Sequence, residues 1–467
     1  MYWVTGSRRR RSWWRGWPCS CCGGPRCGRG WPRSRRRLRG AVVARVGGFG
    51  ASGAFVAGAG TSGRVLYVLL GGLFLYNILE RGGAVAAVSG YLGKLEPERE
   101  GLALVVVIGA APFFESVTGF GVAVVISAPI LLAAGFSPLK AAVLSSWGQC
   151  AVPWGALGIG TVIGADLSGT TFGELSDGSA LLSLPLFPVY AVAAVALAGG
   201  WAGVRKRGGE AVLLGLVAGT ATLLTSLFVV PELAGAVGGL AATGAFLILR
   251  RGRLRGSGPP IRAALPYAFL LLLLVLANGP GPIAGWLGSL GPAFSGPGPA
   301  LFLAAGFGAA LFGLGGGALR SAASGTLWQW LPTAGAVVTF VLAGGVVAAS
   351  GAAAMLAAAA TVFGPFYGVA APVVGALGGA LTGSNAASNA LFMPLQVEAA
   401  RGLGVSEGLV AAVQNVSGSH ASMLAPQRVV LAATAVGLLG REGEIVRAAL
   451  LPVAASVAVL AVAGAVL

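Results

Sequence analysis

Residues 107–149 read VIGAAPFFESVTGFGVAVVISAPILLAAGFSPLKAAVLSSWGQ, and residues 373–415 read VVGALGGALTGSNAASNALFMPLQVEAARGLGVSEGLVAAVQN. Each stretch starts with an apolar run that stops at a Thr-Gly dipeptide. A second apolar run, a glycine-containing turn and a helix ending near a glutamine follow. Gly-interrupted apolar segments at corresponding positions of two halves are typical of secondary transporters, whose site lies near the bilayer midplane. The shared order of breaks therefore predicts two structural repeats around one site.

The composition of the rest of the chain indicates a membrane protein. Hydrophobic residues make up 56% and charged residues 10% of the sequence, and the mean hydropathy is +0.84. Apolar stretches recur from about Val65 to Leu467, many near the roughly 20 residues that a helix needs to cross a bilayer. The many glycines and prolines are tolerated where neighbouring helices satisfy a broken backbone. We predict an all-α, polytopic transmembrane helical bundle with two inverted repeats that contain discontinuous helices or re-entrant hairpins.

The positive charge of the chain is concentrated at its start. Between Met1 and Arg45 there are thirteen arginines and no acid, so the remainder carries about 17 − 13 = +4 of the net charge. This local charge is no argument for a nucleic-acid partner. Four of the five cysteines lie there too, but their spacing matches no standard paired zinc motif, so no metal is expected. Residues 1–60 are predicted to be a basic segment that is disordered or misannotated.

The transmembrane domain is expected to span residues 64–467. Repeat 1 covers about 64–204, linking spans cover about 211–320, and repeat 2 covers about 331–467. Short basic loops remain cytoplasmic, which places the loop 205–207 and the loop 250–262 on that side.

The first break contains an acidic residue in apolar surroundings. Glu115 lies in the stretch APFFESVTGFG. Ionisable residues inside a membrane are costly, usually face a cavity and mark proton or ion paths. We predict that Glu115 carries a coupled proton and that Thr118, Gly119 and Gly121 contact substrate. The alternative is a glutamate at a span end that faces lipid headgroups.

The second break contains a dense polar cluster in the stretch LTGSNAASNALF. A helix that restarts after Gly383 presents free N–H groups and a partial positive charge, which suit a carboxylate. The alternative is polar contact between helices. The residues predicted to bind substrate here are Thr382, Gly383, Ser384, Asn385, Ser388 and Asn389.

A third polar cluster, QNVSGSHASMLAPQR, follows the second repeat. Gln414, Asn415 and Ser417 are predicted to bind substrate. His420, the only histidine, is predicted to take part in proton coupling, with a packing role as the alternative. Arg428 is expected to extend to cytoplasmic headgroups rather than pair with a substrate carboxylate.

These residues resemble the lactate permease family of bacterial transporters. The matching stretches are FFESVTGFGVAVVI, GFSPLKAAVLSSWGQCAVPWGALGI, LTGSNAASNALFMPLQ and GVSEGLVAAVQNVSGSHASMLAPQRVVLAATAVGLLGRE. The resemblance runs from about Arg64 to the C-terminus. It implies proton symport of L-lactate, D-lactate and glycolate across the plasma (inner) membrane of a bacterium. Family members usually carry an acid where this chain has Asn385 and a lysine near Ser422.

The partners implied are a small monocarboxylate, a proton and the lipid bilayer, with no cofactor; homo-oligomerisation is left open. The alternatives to a symporter are a passive organic-anion channel and a non-transporting membrane subunit. No Walker A loop, HExxH motif or GxSxG elbow supports an enzyme.

The predicted orientation can be tested with single cysteines introduced near Lys206 and Gly252 in a cysteine-free background. Membrane-impermeant thiol reagents should modify both only in inside-out vesicles. Modification of either position in intact cells would overturn the orientation.

Overall fold

The structure is a computed structural model that describes residues 50–96, 98–119, 121–251, 258, 260–279, 282–290, 296–349, 351, 355, 357–358 and 360–466. The expected basic segment of residues 1–60 lies outside the described residues as far as residue 49. The first helix begins at Gly50, so residues 50–60 are helical.

The secondary structure of the described residues is helical. The helices, numbered in chain order, are α1 (Gly50–Arg81), α2 (Ala84–Leu95), α3 (Arg99–Thr118), α4 (Val122–Ala133), α5 (Pro138–Trp147), α6 (Gly155–Ser168), α7 (Phe172–Ser183), α8 (Leu186–Phe228), α9 (Ala234–Arg250), α10 (Ile261–Asn278), α11 (Pro282–Ser289), α12 (Pro297–Phe312), α13 (Gly316–Ala349), α14 (Tyr367–Thr382), α15 (Asn385–Leu403), α16 (Glu407–Ala421), α17 (Pro426–Val436) and α18 (Glu442–Val466). Within the described ranges, eight helices are long and apolar enough to cross a membrane. The predicted fold class, a polytopic helical bundle, is confirmed.

Both predicted breaks interrupt helices. α3 ends at Thr118 and α4 begins at Val122, while α14 ends at Thr382 and α15 begins at Asn385. Gly119, Gly121 and Gly383 have φ angles of 68°, 84° and 63°. Glycine adopts this left-handed region readily, whereas a Cβ is unfavourable there. The Thr-Gly dipeptides therefore mark the points at which each helix stops, and discontinuous helices occur in both repeats.

Helix α8 is a helical hairpin rather than one long rod. Gly200 has a φ of 63° in its interior. Beyond it the chain returns along the first arm: a Cβ on Gly215 would lie 2.5 Å from Pro188 Cα, and one on Gly219 would lie 3.0 Å from the Leu184 carbonyl oxygen. The chain was expected to reverse at the basic residues 205–207. It reverses earlier because glycine accepts the positive φ of the turn.

A cluster of charged side chains joins the turn of the α8 hairpin to neighbouring segments. Arg207 Nη2 lies 2.6 Å from Glu98 Oε2, and Arg250 Nε lies 2.7 Å from Glu96 Oε2. Glu210 accepts hydrogen bonds from both arginines. Hydrogen bonds from Lys206 and Arg207 lower the pKa of Glu98 to about 2. The two basic loops predicted to lie on one side therefore meet at the same end of the bundle.

Large apolar side chains cover much of the outer surface, as expected of a surface that faces lipid. They include Leu224 and Phe228 on α8, Ile248 on α9, Leu272 on α10 and Trp328 on α13, all of them exposed.

Breaking the charged cluster should destabilise the protein. The side chains of Glu96 and Arg207 are 0% and 6% exposed, and Arg207→Gln leaves Arg250 as the one cation beside the buried carboxylate of Glu96. Because each carboxylate keeps one basic partner, the loss should stay below the roughly 3–5 kcal/mol that follows when a buried charge loses its only partner. We expect a clearly lower unfolding temperature in detergent. The matched control is Arg401→Gln, whose side chain is 58% exposed, so the unfolding temperature should change little because solvent screens exposed ion pairs. An equal decrease for both variants would contradict this account.

Candidate substrate-binding site

The two helix breaks face one small cavity. Its volume is about 30 Å³, enough for about one or two water molecules. Residues of both repeats line it: Glu115, Gly119, Val152, Gly155, Ala156, Ile159, Gly160, Ser384, Asn385, Ala386 and Arg428. Of the predicted site residues, the cavity therefore brings together Glu115, Gly119, Ser384 and Asn385.

Glu115 is fully buried in the last turn of α3, and its side chain reaches the start of α4. One carboxylate oxygen accepts a hydrogen bond from the Gly121 N–H at 3.2 Å. The other lies 3.5 Å from Arg428 Nη1. Gly121 is the N-cap of α4, so the carboxylate sits where the partial positive charge of that helix favours an anion. The alternative of a headgroup-facing glutamate does not fit a side chain with 1% exposure.

Arg428 joins the two breaks. Its Nε donates to the Gly383 carbonyl at 2.9 Å, and its Nη1 faces Glu115. The side chain is 9% exposed. The prediction that Arg428 extends to lipid headgroups is therefore wrong, because α17 packs against α4 and places its first turn beside both breaks.

The first turn of α15 adds hydrogen-bond donors to the cavity. Ser384 is the N-cap residue, and its hydroxyl accepts from the Ala387 N–H at 3.5 Å. The first N–H groups of a helix have no partner within the helix, and Asn385 and Ala386 line the cavity. This helix start together with Arg428 can hold a carboxylate.

Behind the cavity, amide side chains from two helices, α15 and α16, form a buried network. Asn385 Nδ2 and Asn389 Nδ2 each lie 2.8 Å from Asn415 Oδ1. Gln414 Nε2 donates to the Ser388 hydroxyl at 3.1 Å. Five predicted residues thus lie in one region, although only Asn385 of these five lines the cavity.

Three predicted hydroxyl residues bond to their own helices instead. The hydroxyls of Thr118, Thr382 and Ser417 donate to backbone carbonyls four residues earlier, at 2.6, 2.8 and 2.6 Å. None of the three lines the cavity. In this conformation they satisfy helix backbone near the breaks, and their contact with substrate stays a prediction.

His420 lies apart from the cavity lining. Its Nε2 is 2.9 Å from the Cys150 carbonyl oxygen, and its Nδ1 is 2.8 Å from the Ser456 hydroxyl. A carbonyl can only accept, so Nε2 donates, and in the neutral ring Nδ1 accepts from Ser456. The ring also packs edge-on against Tyr190. These contacts fit the packing alternative, and a role in proton coupling stays a prediction. Ser422 also lies outside the lining, and its hydroxyl donates to the Ser419 carbonyl.

A strained turn separates the cavity from a second one. Ala156, Leu157 and Gly158 have φ angles of 49°, 58° and 81°. For a residue other than glycine, this conformation costs roughly 1–2 kcal/mol. The second cavity, of about 210 Å³, is lined by Leu157 and Arg64 among others, and Ile159 borders both cavities.

Sequence reasoning did not find the residues that α6 and α7 contribute. Asn415 Nδ2 donates to the hydroxyls of Thr161 and Ser179 at 3.0 and 2.8 Å. Gly160 lets α15 approach so closely that Asn389 donates to its carbonyl. A polar residue in the small-residue run GIGTVIG was the available signal for Thr161.

Comparison with known proteins identifies relatives over most of the chain. A family model described as L-lactate permease matches residues 45–252 and 293–467, which include all the cavity residues. The L-lactate permease of Salmonella typhimurium is 27% identical over 445 residues, covering 82% of this chain and 80% of the relative. The glycolate permease GlcA of Escherichia coli is 25% identical over 458 residues, with the same coverage. The YdaH transporter structure of Alcanivorax borkumensis has a TM-score of 0.46 and 16% identity, and the match covers 93% of this chain and 89% of that one.

The close contact between Gly160 and Asn385 allows a test of the site. A Cβ there would lie 2.6 Å from Asn385 Nδ2, so Gly160→Ala should displace Asn385 and reduce uptake of labelled L-lactate about 10- to 100-fold. Gly244→Ala is the matched control, because a Cβ at that helical glycine meets nothing within 4 Å. Uptake should be normalised to folded protein. Equal uptake by the two variants would show that Asn385 need not keep its position.

Proposed function

Because this chain belongs to the L-lactate permease family, we propose that it is a secondary transporter that imports L-lactate and related 2-hydroxymonocarboxylates, among them D-lactate and glycolate, by proton symport. The relatives are named for lactate and glycolate, and the eight apolar helices fit a multi-pass protein of the bacterial plasma membrane. One observation carries the proposal: a buried carboxylate and a buried guanidinium face each other beside a free helix N-terminus.

The carboxylate of the substrate binds between Arg428 and the first turn of α15. Arg428 offers charged donors, and the N–H groups of Asn385 and Ala386 offer further donors at the positive end of a helix. The cavity of about 30 Å³ has to widen to admit the substrate. Movement at the helix breaks, where the glycines lie, provides that space.

Charge balance at Arg428 couples the substrate to a proton. Without substrate, the charges of Glu115 and Arg428 compensate each other at 3.5 Å. A second carboxylate would leave one uncompensated negative charge in a buried site, which is strongly unfavourable. Protonation of Glu115 removes that charge, so one proton and one anion bind together. A proton-coupled transporter needs this linkage, whereas a passive anion channel or a structural subunit does not.

Glu115→Gln tests the coupling, because the amide is neutral without taking up a proton. Purified protein in proteoliposomes should lose accumulation of labelled L-lactate driven by an imposed pH gradient, by about tenfold or more. Exchange of labelled for unlabelled lactate should survive, because it requires no net proton movement.

Glu80→Gln, at an exposed carboxylate on α1, is the control and should accumulate lactate as the wild type does. Unchanged accumulation by Glu115→Gln would remove Glu115 from the mechanism. If the wild type never raises the internal lactate concentration above its equilibrium value under a pH gradient, the result would favour the channel. If lactate does not cross the membrane at all, the result would favour the structural subunit. His420→Gln in the same assay decides whether the histidine contributes to coupling.

A further inference from the structure

The orientation of three buried amides is fixed by the hydroxyl groups behind them. Asn415 Nδ2 lies 3.0 Å from Thr161 Oγ1 and 2.8 Å from Ser179 Oγ. The Thr161 hydroxyl makes its shorter contact with the Pro153 carbonyl and a longer one, of 3.3 Å, with Asn415 Oδ1, while the Ser179 hydroxyl donates to the Leu175 carbonyl. With their hydrogens on the two backbone carbonyls, both hydroxyls accept from Asn415 Nδ2. The NH₂ group of Asn415 must point towards them.

The oxygen of Asn415 makes its two shortest contacts with α15. It lies 2.8 Å from the terminal amide of Asn385 and 2.8 Å from that of Asn389. An acceptor requires donors, so both asparagines must present their NH₂ groups to it. Asn389 has a second constraint in the same sense, because its Nδ2 also donates to the Gly160 carbonyl at 2.9 Å. The two hydroxyls thus orient the amide of Asn415, and Asn415 in turn orients the amides of Asn385 and Asn389.

In this arrangement the side-chain oxygen of Asn385 has no hydrogen-bond donor within the network. Among the residues that the structure describes, no donor lies within hydrogen-bond distance of Asn385 Oδ1, although the residue is only 5% exposed. A buried acceptor without a donor is unfavourable, so this oxygen favours a ligand that donates to it. Asn385 lines the cavity next to Arg428 and Glu115, so the network holds a hydrogen-bond acceptor at the place where a substrate would bind.

We propose that Asn385 Oδ1 accepts a hydrogen bond from the 2-hydroxyl group of the substrate and thereby selects 2-hydroxy acids. This inference rests on the proposed function. Asn385 is the first residue of α15, so the N–H groups that receive the carboxylate and the oxygen that receives the hydroxyl belong to one helical turn. In a 2-hydroxy acid the hydroxyl is on the carbon next to the carboxylate, which matches that closeness.

The same geometry disfavours other small monocarboxylates. Propionate and acetate offer no donor to Asn385 Oδ1, and the 2-oxo group of pyruvate is itself an acceptor that would face a second acceptor. A site built to bond a hydroxyl rejects analogues without one, because its own polar group stays unpaired. The fixed order of the network prevents Asn385 from turning its NH₂ group to the substrate instead.

The test uses two pairs that differ only in the hydroxyl: L-lactate with propionate, and glycolate with acetate. Inhibition of lactate exchange in proteoliposomes should show that the wild type prefers the hydroxylated member by about 10- to 100-fold. Asn385→Leu, close in size and without polar atoms, should reduce that preference to near unity. Asn389→Leu is the matched control, because it lies one turn along in the same network and does not line the cavity. It should keep the preference.

Asn385→Ala provides a second variant if the leucine variant does not fold, and ligand-dependent shifts of the unfolding temperature give the same ratios without transport. An unchanged preference in both Asn385 variants, an equal loss of preference in Asn389→Leu, or a wild type that does not discriminate would overturn the assignment. If the wild type transports and binds none of the four acids, the proposed function fails, and the assignment falls with it. If the wild type transports these acids without preferring the hydroxylated member of each pair, only the assignment of Asn385 is overturned and the proposed function stands.

Discussion

The guanidinium of Arg428 is the contact on which the arrangement of the two repeats depends. It bonds to the carbonyl of Gly383, at the end of one broken helix, and faces Glu115, which caps the start of another. The carbonyls at a helix end carry partial negative charge, and Gln427 donates to the Thr382 carbonyl beside them. One turn of α17 therefore satisfies exposed backbone in repeat 2 and a buried charge in repeat 1. Displacement of either break alters the surroundings of the other.

The features that the sequence predicts are those with a local signal. The Thr-Gly dipeptides predict where α3 and α14 end, since glycine accepts a positive φ after an apolar run, and the structure confirms both ends. Glu115 is recognisable because a charged carboxylate in an apolar segment is energetically costly unless neighbouring groups compensate its charge. The position of Arg428 was predicted wrongly. Arginine at the start of an apolar helix usually extends to headgroups, and only the packing of α17 against α4 reveals its burial.

The rest of the site depends on contacts between residues that are distant in sequence. Thr161 and Asn415 are 254 residues apart and share a hydrogen bond. Nothing local distinguishes Thr161 from a small packing residue, so its part in orienting the amides follows only from the fold. The reversal of α8 at Gly200 illustrates the same limit. The basic residues predict a turn near positions 205–207, but the residue that makes the turn is one glycine among many in the sequence.

The left-handed turn at Ala156 and Leu157 affects how easily the protein changes state. Two residues with a Cβ held in this region together raise the free energy of the present conformation by roughly 2–4 kcal/mol. A conformation in which they relax, and in which Ile159 no longer divides the two cavities, gains that amount. In the proposed transport cycle, release of this strain would bring the free energies of two such conformations closer together. Binding of a small anion, which supplies only a few kcal/mol, would then shift the balance between them.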